Sequence, residues 1–494
     1  MSFVSRWLRA LLMAALTLTI CTAHARGFDA AAWQRDYAEL KKTLERDYAN
    51  LAWFASPESG VNLPRLDRLT RQALASARSD REARQAIENF VSAFKDGHFS
   101  LLPDVVAATA SAEAAVSARP LDAADPAATC AALGYLPTAR IAFSLPLESL
   151  PNFQLMADGT ATVYRAGLAT AVDGRKIGVI RIQNFTDRAF PASCMQGLQT
   201  LKSRGAAVGE SALRDAADSR WHAGLAEQIA ALEAAGMTAL LIDVGSNSGG
   251  NDSGDLFPRL LTDKPVRSAR LRMAASAAAR GYADEQLQSL EAALKSAVPA
   301  EARAALAQAR EFFLQAKAAA GHPCDMAWVW TRQQPWDQPG CKRLVDVGFA
   351  GGFAATLPRG AFGDQTIAYR LSSPSSADDL WAMWAGPLYV LTDGRTYSSA
   401  EMFTAVVQDN ALGKTVGATT GGDGCGFMSG DQPKVLAHSR LRLRMPDCMR
   451  LRADGRDEVA GIAPDLPVLA TDGEDARQRA ERMLETVAAD LRRP

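Results

Sequence analysis

The sequence predicts an α/β protein built on a mixed, largely buried sheet, and three observations carry that reading. "KIGVIRIQNF" (176–185) is a β-rich run, "WHAGLAEQIAALEAAGM" (221–237) is an amphipathic helix, and "TALLIDVGSNSGG" (238–250) is an apolar strand running into a Gly-rich loop. Strand, helix and strand in that order indicate a crossover, and an almost wholly apolar strand indicates burial on both faces. "GPLYVLTDGRTYSSAEMFTAVVQ" (386–408) repeats the scheme, with a strand at 387–392, a turn, and a helix turning Met402, Phe403, Val406 and Val407 inward.

The flanking segments are read the same way. Residues 28–100 form an N-terminal helical domain, where Tyr37, Leu40, Leu44 and Tyr48 recur at steps of three and four to make one apolar stripe. A second helical run, "DREARQAIENFVSAF", leads into "KDGHFSLLP". Residues 101–175 are expected to be a small β-containing linker domain without a clear PDZ signature, Ala-rich at 105–130 and strand-like at 139–170. The core spans 176–470 and carries an insertion at 268–360, a helical hairpin broken at Pro299 and followed by "MAWVWTRQQPWDQPGC". Its tryptophans are expected to be satellite core, with ligand or peptide binding as the alternative. A C-terminal helix closes the chain at 471–494.

At 494 residues, with 48% apolar and 22% charged residues, the chain has the composition of a multi-domain globular protein. A net charge of −1 supplies no global field to attract nucleic acid or an anionic membrane, so neither is an expected partner. The first 25 residues read as a secretory signal peptide: Arg6 and Arg9, a short apolar stretch from Ala10 to Ala23, then "AHA". That stretch is shorter than the ~20 residues a membrane-spanning helix needs, so a periplasmic or secreted protein is expected and a lipoprotein is disfavoured. Removal of the signal leaves six cysteines, and an even number in an oxidising compartment points to disulfides. Cys324–Cys341 and Cys425–Cys448, nearest in sequence, are the favoured pairs. Neither CxxC spacing nor HExxH occurs, so no metal site and no cofactor is expected.

Chemistry is sought among serine, histidine and carboxylates on separate elements, because a triad is defined by geometry and not by order. Of the histidines in the mature chain, only His98, at a helix-to-strand junction after Gly97, has a setting that would project into a cleft. No GxSxG elbow exists, which disfavours an α/β-hydrolase. Ser398 nevertheless follows a strand and precedes a helix, where unpaired amides and the helix dipole favour an oxyanion. Ser is equally a favoured helix cap, so capping competes with nucleophilic attack at this position. Asp243, ending a buried strand, is read as structural.

"KIGVIRIQNF", "ALLIDVGSNSGG", "YVLTDGRTYSSAEMFTAVVQDN", "EVAGIAPDLPV" and, nearer the N-terminus, "DGHFSLL" together resemble the carboxyl-terminal processing protease and tricorn-core family of serine peptidases. The resemblance implies a ClpP/crotonase-like mixed sheet with crossover helices. In the processing branch a lysine downstream of the serine is the general base. Here "GATTGGDGCGFMSGDQP" contains none, and Asp423 falls near its place. The resemblance is therefore to the His-dependent, tricorn-like branch. It implies Ser398 as nucleophile, His98 as general base and Glu458 as the group orienting the imidazole, directly or through another polar group. It implies an oxyanion hole made by the Ser399 amide with that of Gly249 or Gly250. Gly97 and Gly245 depart from a serine and an arginine common in the family. The implied activity is hydrolysis of peptides or unfolded protein segments through an acyl-enzyme. A non-catalytic ligand- or peptide-binding protein on the same fold and an esterase stay open as alternatives.

Overall fold

A computed structural model describes residues 28–104, 124–137, 141–205, 209–336, 341–428, 430 and 433–493. The expected signal peptide and most of the Ala-rich segment lie outside the described residues.

Four helices open the described chain: α1 (Ala30–Asp47), α2 (Leu51–Phe54), α3 (Leu63–Ser76) and α4 (Asp80–Ser92). Their starts are written in the sequence, since Asp29, Asn62 and Ser79 each accept an amide of the following turn. The stripe of Tyr37, Leu40, Leu44 and Tyr48 is buried with Phe90 and Phe94 in one apolar cluster. Trp330 of the insertion joins that cluster as satellite core, whereas Trp336 is half-buried, packs against a neighbouring cluster and lines a cavity. Strand β1 (Ser100–Leu101) follows, then α5 (Pro126–Ala132).

The strands β2 (Phe153–Asp158) and β3 (Arg165–Thr170) correct the expected linker. β2 pairs antiparallel with β3, and β3 antiparallel with β4 (Lys176–Arg181), the first core strand, so both strands belong to the central sheet. Helices α6 (Pro191–Ser203) and α7 (Glu210–Ala234) cross over to β5 (Ala239–Asp243), which lies parallel to β4. The short turn α8 (Ser253–Leu256) follows the Gly-rich loop.

The insertion is not purely helical. Its hairpin, α9 (Ala277–Leu294) and α10 (Ala300–Ala319), breaks around Pro299 as expected but is bracketed by β6 (Arg270–Ala274) and β7 (Leu344–Phe349). Beyond α11 (Gln365–Leu371) come β8 (Leu388–Thr392), α12 (Ser399–Asp409) and β9 (Lys414–Gly417). The chain ends with β10 (Lys434–Val435), β11 (Arg442–Arg444), β12 (Cys448–Leu451), β13 (Leu466–Pro467) and α13 (Ala476–Asp490).

Among the described residues the central sheet has seven strands in the order β13-β9-β8-β5-β4-β3-β2, parallel from β13 to β4 and antiparallel beyond. Strand alternation explains its two layers. Ile180, Leu240, Ile242 and Val390 pack on one face with Trp221, Leu225 and Phe403 from α7 and α12. Ile177, Val179, Leu241 and Leu391 pack on the other with Met483 and Val487 from α13. The mixed α/β fold read from the sequence is thus present.

Two smaller sheets position the site. β6, β7 and β12 form one, and β1 pairs with β11 in the other. Three disulfides form, Cys130–Cys194, Cys324–Cys341 and Cys425–Cys448. The first spans 64 positions, and sequence proximity could not have found it.

Candidate active site

Ser398 stands where β8 ends and α12 begins. Its backbone has φ 55° and ψ −117°, a conformation costly for any residue with a Cβ. Its N–H is held by Asp423 Oδ1 at 2.7 Å, from outside the helix, and by Glu401 Oε2 at 3.3 Å, from the helix's own first turn. The Ser398 hydroxyl lies 3.0 Å from His98 Nε2. Ser399 is different: its hydroxyl donates to Asn251 O and accepts from Gly254 N (3.1 Å), which locks it into α8. Of the two serines, Ser398 is the one whose hydroxyl faces a base.

His98 reaches this point from the N-terminal helices, and β1 pairing with β11 carries it there. Its backbone N–H is anchored on Asp96 Oδ1, itself bonded to the Tyr48 hydroxyl. The second ring nitrogen, Nδ1, lies 3.2 Å from the Asp423 main-chain oxygen and 3.5 Å from its Oδ2. A carbonyl oxygen only accepts, so this contact places the proton on Nδ1 and leaves the Nε2 lone pair facing Ser398. Burial lowers the His98 pKa, which keeps the ring neutral and able to accept a proton.

Asp423 is the residue that sequence reasoning noticed but did not place in the site. The signal was present, since it stands where a lysine was sought. Burial, with Asp96 nearby, pushes its carboxyl up to about 6. Gly97 is bound to the same fact: a Cβ there would lie 2.8 Å from Asp423 Oδ2. A side chain there would press on the Asp423 carboxylate.

Glu401, one turn into α12, accepts from Thr420 Oγ1 (2.6 Å) and from the amides of Gly422, Asp423 and Gly424 (2.7–3.1 Å). Burial and the adjacent Asp423 raise its pKa to about 8. It is therefore the organiser of the loop that carries Asp423.

Glu458 is expected to orient the imidazole directly or through another polar group. Among the described residues no hydrogen bond or ion pair joins it to His98, because Asp423 takes the ring's free side. Glu458 Oε2 instead pairs with Arg450 Nε at 2.7 Å, fully buried. Arg450 in turn donates to the main-chain oxygens of Ser398 (3.0 Å) and Gly424 (2.9 Å). Glu458 reaches the site only through that guanidinium.

The amides named for an oxyanion hole also separate. Gly249 N–H is taken by Asn247 Oδ1 at 2.8 Å. Ser399 N–H and Gly250 N–H have no acceptor among the described residues. Gly249 is nonetheless indispensable to the geometry: its φ is +90°, and a Cβ would lie 2.5 Å from Ser398 Cβ. Asp243 holds Gly245 N–H, Ser144 and Arg181, a structural role.

A strained serine at a strand-to-helix turn, facing a buried neutral imidazole beside backbone amides, defines a hydrolase-type constellation. The model of peptidase family S41 matches residues 176–468 of the chain. No curated protein matches it. Mature CPAF complexed with lactacystin is a similar solved structure, with a TM-score of 0.57 at 14% identity over 94% of this chain and 98% of that one. Mature CPAF alone gives a TM-score of 0.54 at 14% identity, covering 93% and 96%. The chain belongs to peptidase family S41 and is a serine-type peptidase. His98 lies outside the matched span.

Proposed function

We propose that the chain is an exported, His-dependent serine peptidase, in which Ser398 attacks the scissile carbonyl and His98 Nε2 takes its proton. The observation that carries the reading is the 3.0 Å approach of two side chains 300 positions apart. Asp423 sets the tautomer through its main-chain oxygen, and its carboxylate stabilises the imidazolium formed as the serine is deprotonated. The tetrahedral oxyanion is received by the amides of Ser399, at the start of α12, and Gly250. Collapse expels the leaving amine, protonated by His98, and water then hydrolyses the acyl-enzyme with His98 again the base. The substrate is a peptide or an unfolded protein segment. Glu458 acts at one remove, by holding Arg450 against the Ser398 and Gly424 carbonyls. Export is supported by three disulfides, which persist in oxidising compartments.

A fluorophosphonate probe tests the assignment. The folded protein is expected to label on one serine. Labelling is expected to vanish in Ser398→Ala and to slow at least about a hundredfold in His98→Ala, the scale of general-base catalysis. Folded protein that does not label, or a label that survives Ser398→Ala, would overturn the proposal in favour of a non-catalytic binder or another site.

A further inference from the structure

A cavity of about 380 Å³ is lined by Asp252, the residue after Asn251, whose main-chain oxygen accepts the hydroxyl of Ser399 beside the nucleophile. Two of its wall residues continue segments that touch the pair. Asp252 lies two positions after Gly250, and Met428 two after Gly426, whose Cβ position is 3.0 Å from His98 Nε2. Tyr282 of α9 and Gly351 contribute further walls from the insertion.

The charges on this cavity are unequal in their commitments. Arg370 also lines it, but donates to the Ser289 hydroxyl at 2.6 Å and to the Ser289 main-chain oxygen at 3.2 Å. The Asp252 carboxylate has no hydrogen bond or ion-pair partner among the described residues, and it is exposed to the cavity. Desolvation and the charge of Asp255 raise its pKa, and the Arg450 guanidinium opposes them from a distance without pairing to it. Asp255 lies behind the wall, its Oδ2 already paired with Arg259 (3.6 Å) and the Ser268 hydroxyl (2.6 Å), which leaves Asp252 as the uncommitted carboxylate. A Cβ on Gly351 would be 3.1 Å from Asp255 Oδ2, and the buried Asp255 Oδ1 has no partner among the described residues. Met428 and the ring of Tyr282 supply apolar surface of the kind the methylene stem of a long basic side chain covers.

We propose that Asp252 makes this cavity the recognition subsite for a lysine or arginine side chain flanking the scissile bond of a peptide substrate. The inference rests on Ser398 being the nucleophile. Asp252 is a specificity-determining residue in it, and the insertion becomes part of the substrate site through Tyr282.

The test is cleavage of a degenerate synthetic peptide library, with cut positions read by mass spectrometry and the same preparation checked by fluorophosphonate labelling. Wild-type protein is expected to enrich Lys and Arg at one of the two positions flanking the cut by about tenfold over neutral residues. Asp252→Asn is expected to abolish that enrichment, and Asp252→Arg to reverse it towards Asp and Glu. The readout is a ratio of sites, so a general loss of rate does not imitate it. Labelled wild-type enzyme that cuts without basic preference, or keeps the preference in Asp252→Asn, overturns the subsite alone. Absence of labelling in the wild type removes the nucleophile and the subsite together.

Discussion

The smallest residues constrain this site most. Gly249 holds φ +90° directly beneath Ser398, and a single methyl there would fall 3.0 Å from the Ser398 hydroxyl oxygen. Gly249→Ala is expected to cost about 1–2 kcal/mol of folding stability from the left-handed backbone alone. The larger effect is expected on reactivity, because the displaced hydroxyl loses its alignment with His98. Fluorophosphonate labelling should slow on the order of a hundredfold in protein that remains folded by circular dichroism. Unchanged labelling would mean that the Gly-rich loop does not shape the serine's surroundings. Gly97 is a quieter case of the same rule, kept free of a side chain by Asp423.

At the scale of elements, the loop at 420–424 is folded around the Glu401 carboxylate at the start of α12. Two carboxyl groups, Glu401 and Asp423, share this loop with pKa values raised to about 8 and about 6 by burial and by each other's or a neighbour's charge. The unfolded value for Asp is 3.8, so the folded state binds the proton more tightly. Stability from this source is full below the unfolded value and is lost as pH rises through about 6 for Asp423 and about 8 for Glu401. Urea denaturation of the Ser398→Ala protein is expected to show unfolding free energy declining between pH 5 and 8.5. Asp423→Asn should remove the lower-pH part of that decline. A flat profile in both proteins would show that these groups titrate normally.

Across the whole molecule, the site is assembled from three bodies. The N-terminal helices bring His98, the central sheet brings Ser398 and the Gly-rich loop, and the β6-β7-β12 sheet brings Arg450. The Cys425–Cys448 disulfide ties the Asp423 loop to that last sheet. Closing its loop of 23 positions is expected to contribute roughly 3 kcal/mol. Cys425→Ser with Cys448→Ser should lower the urea midpoint accordingly and slow serine labelling, since Cys425 is two residues from Asp423. A midpoint and labelling rate equal to wild type would make the bond dispensable to both.

The sequence by itself determined the elements and the chemistry of their ends. Short, almost wholly apolar runs wrote β4, β5 and β8, helical spacing wrote α1 and α7, and the turn before "YSSAE" put two serines at a helix start. These are local consequences of period and capping, readable without a fold. Only the tertiary structure decided which serine meets His98, because one hydroxyl is consumed by Asn251 and Gly254 and the other is not. It also set the imidazole Nδ1 against Asp423 and Glu458 against Arg450. Those outcomes depend on which buried groups satisfy one another across hundreds of residues. The glycine before His98 was visible in the sequence, and the fold gives its reason: a Cβ there would lie 2.8 Å from Asp423 Oδ2.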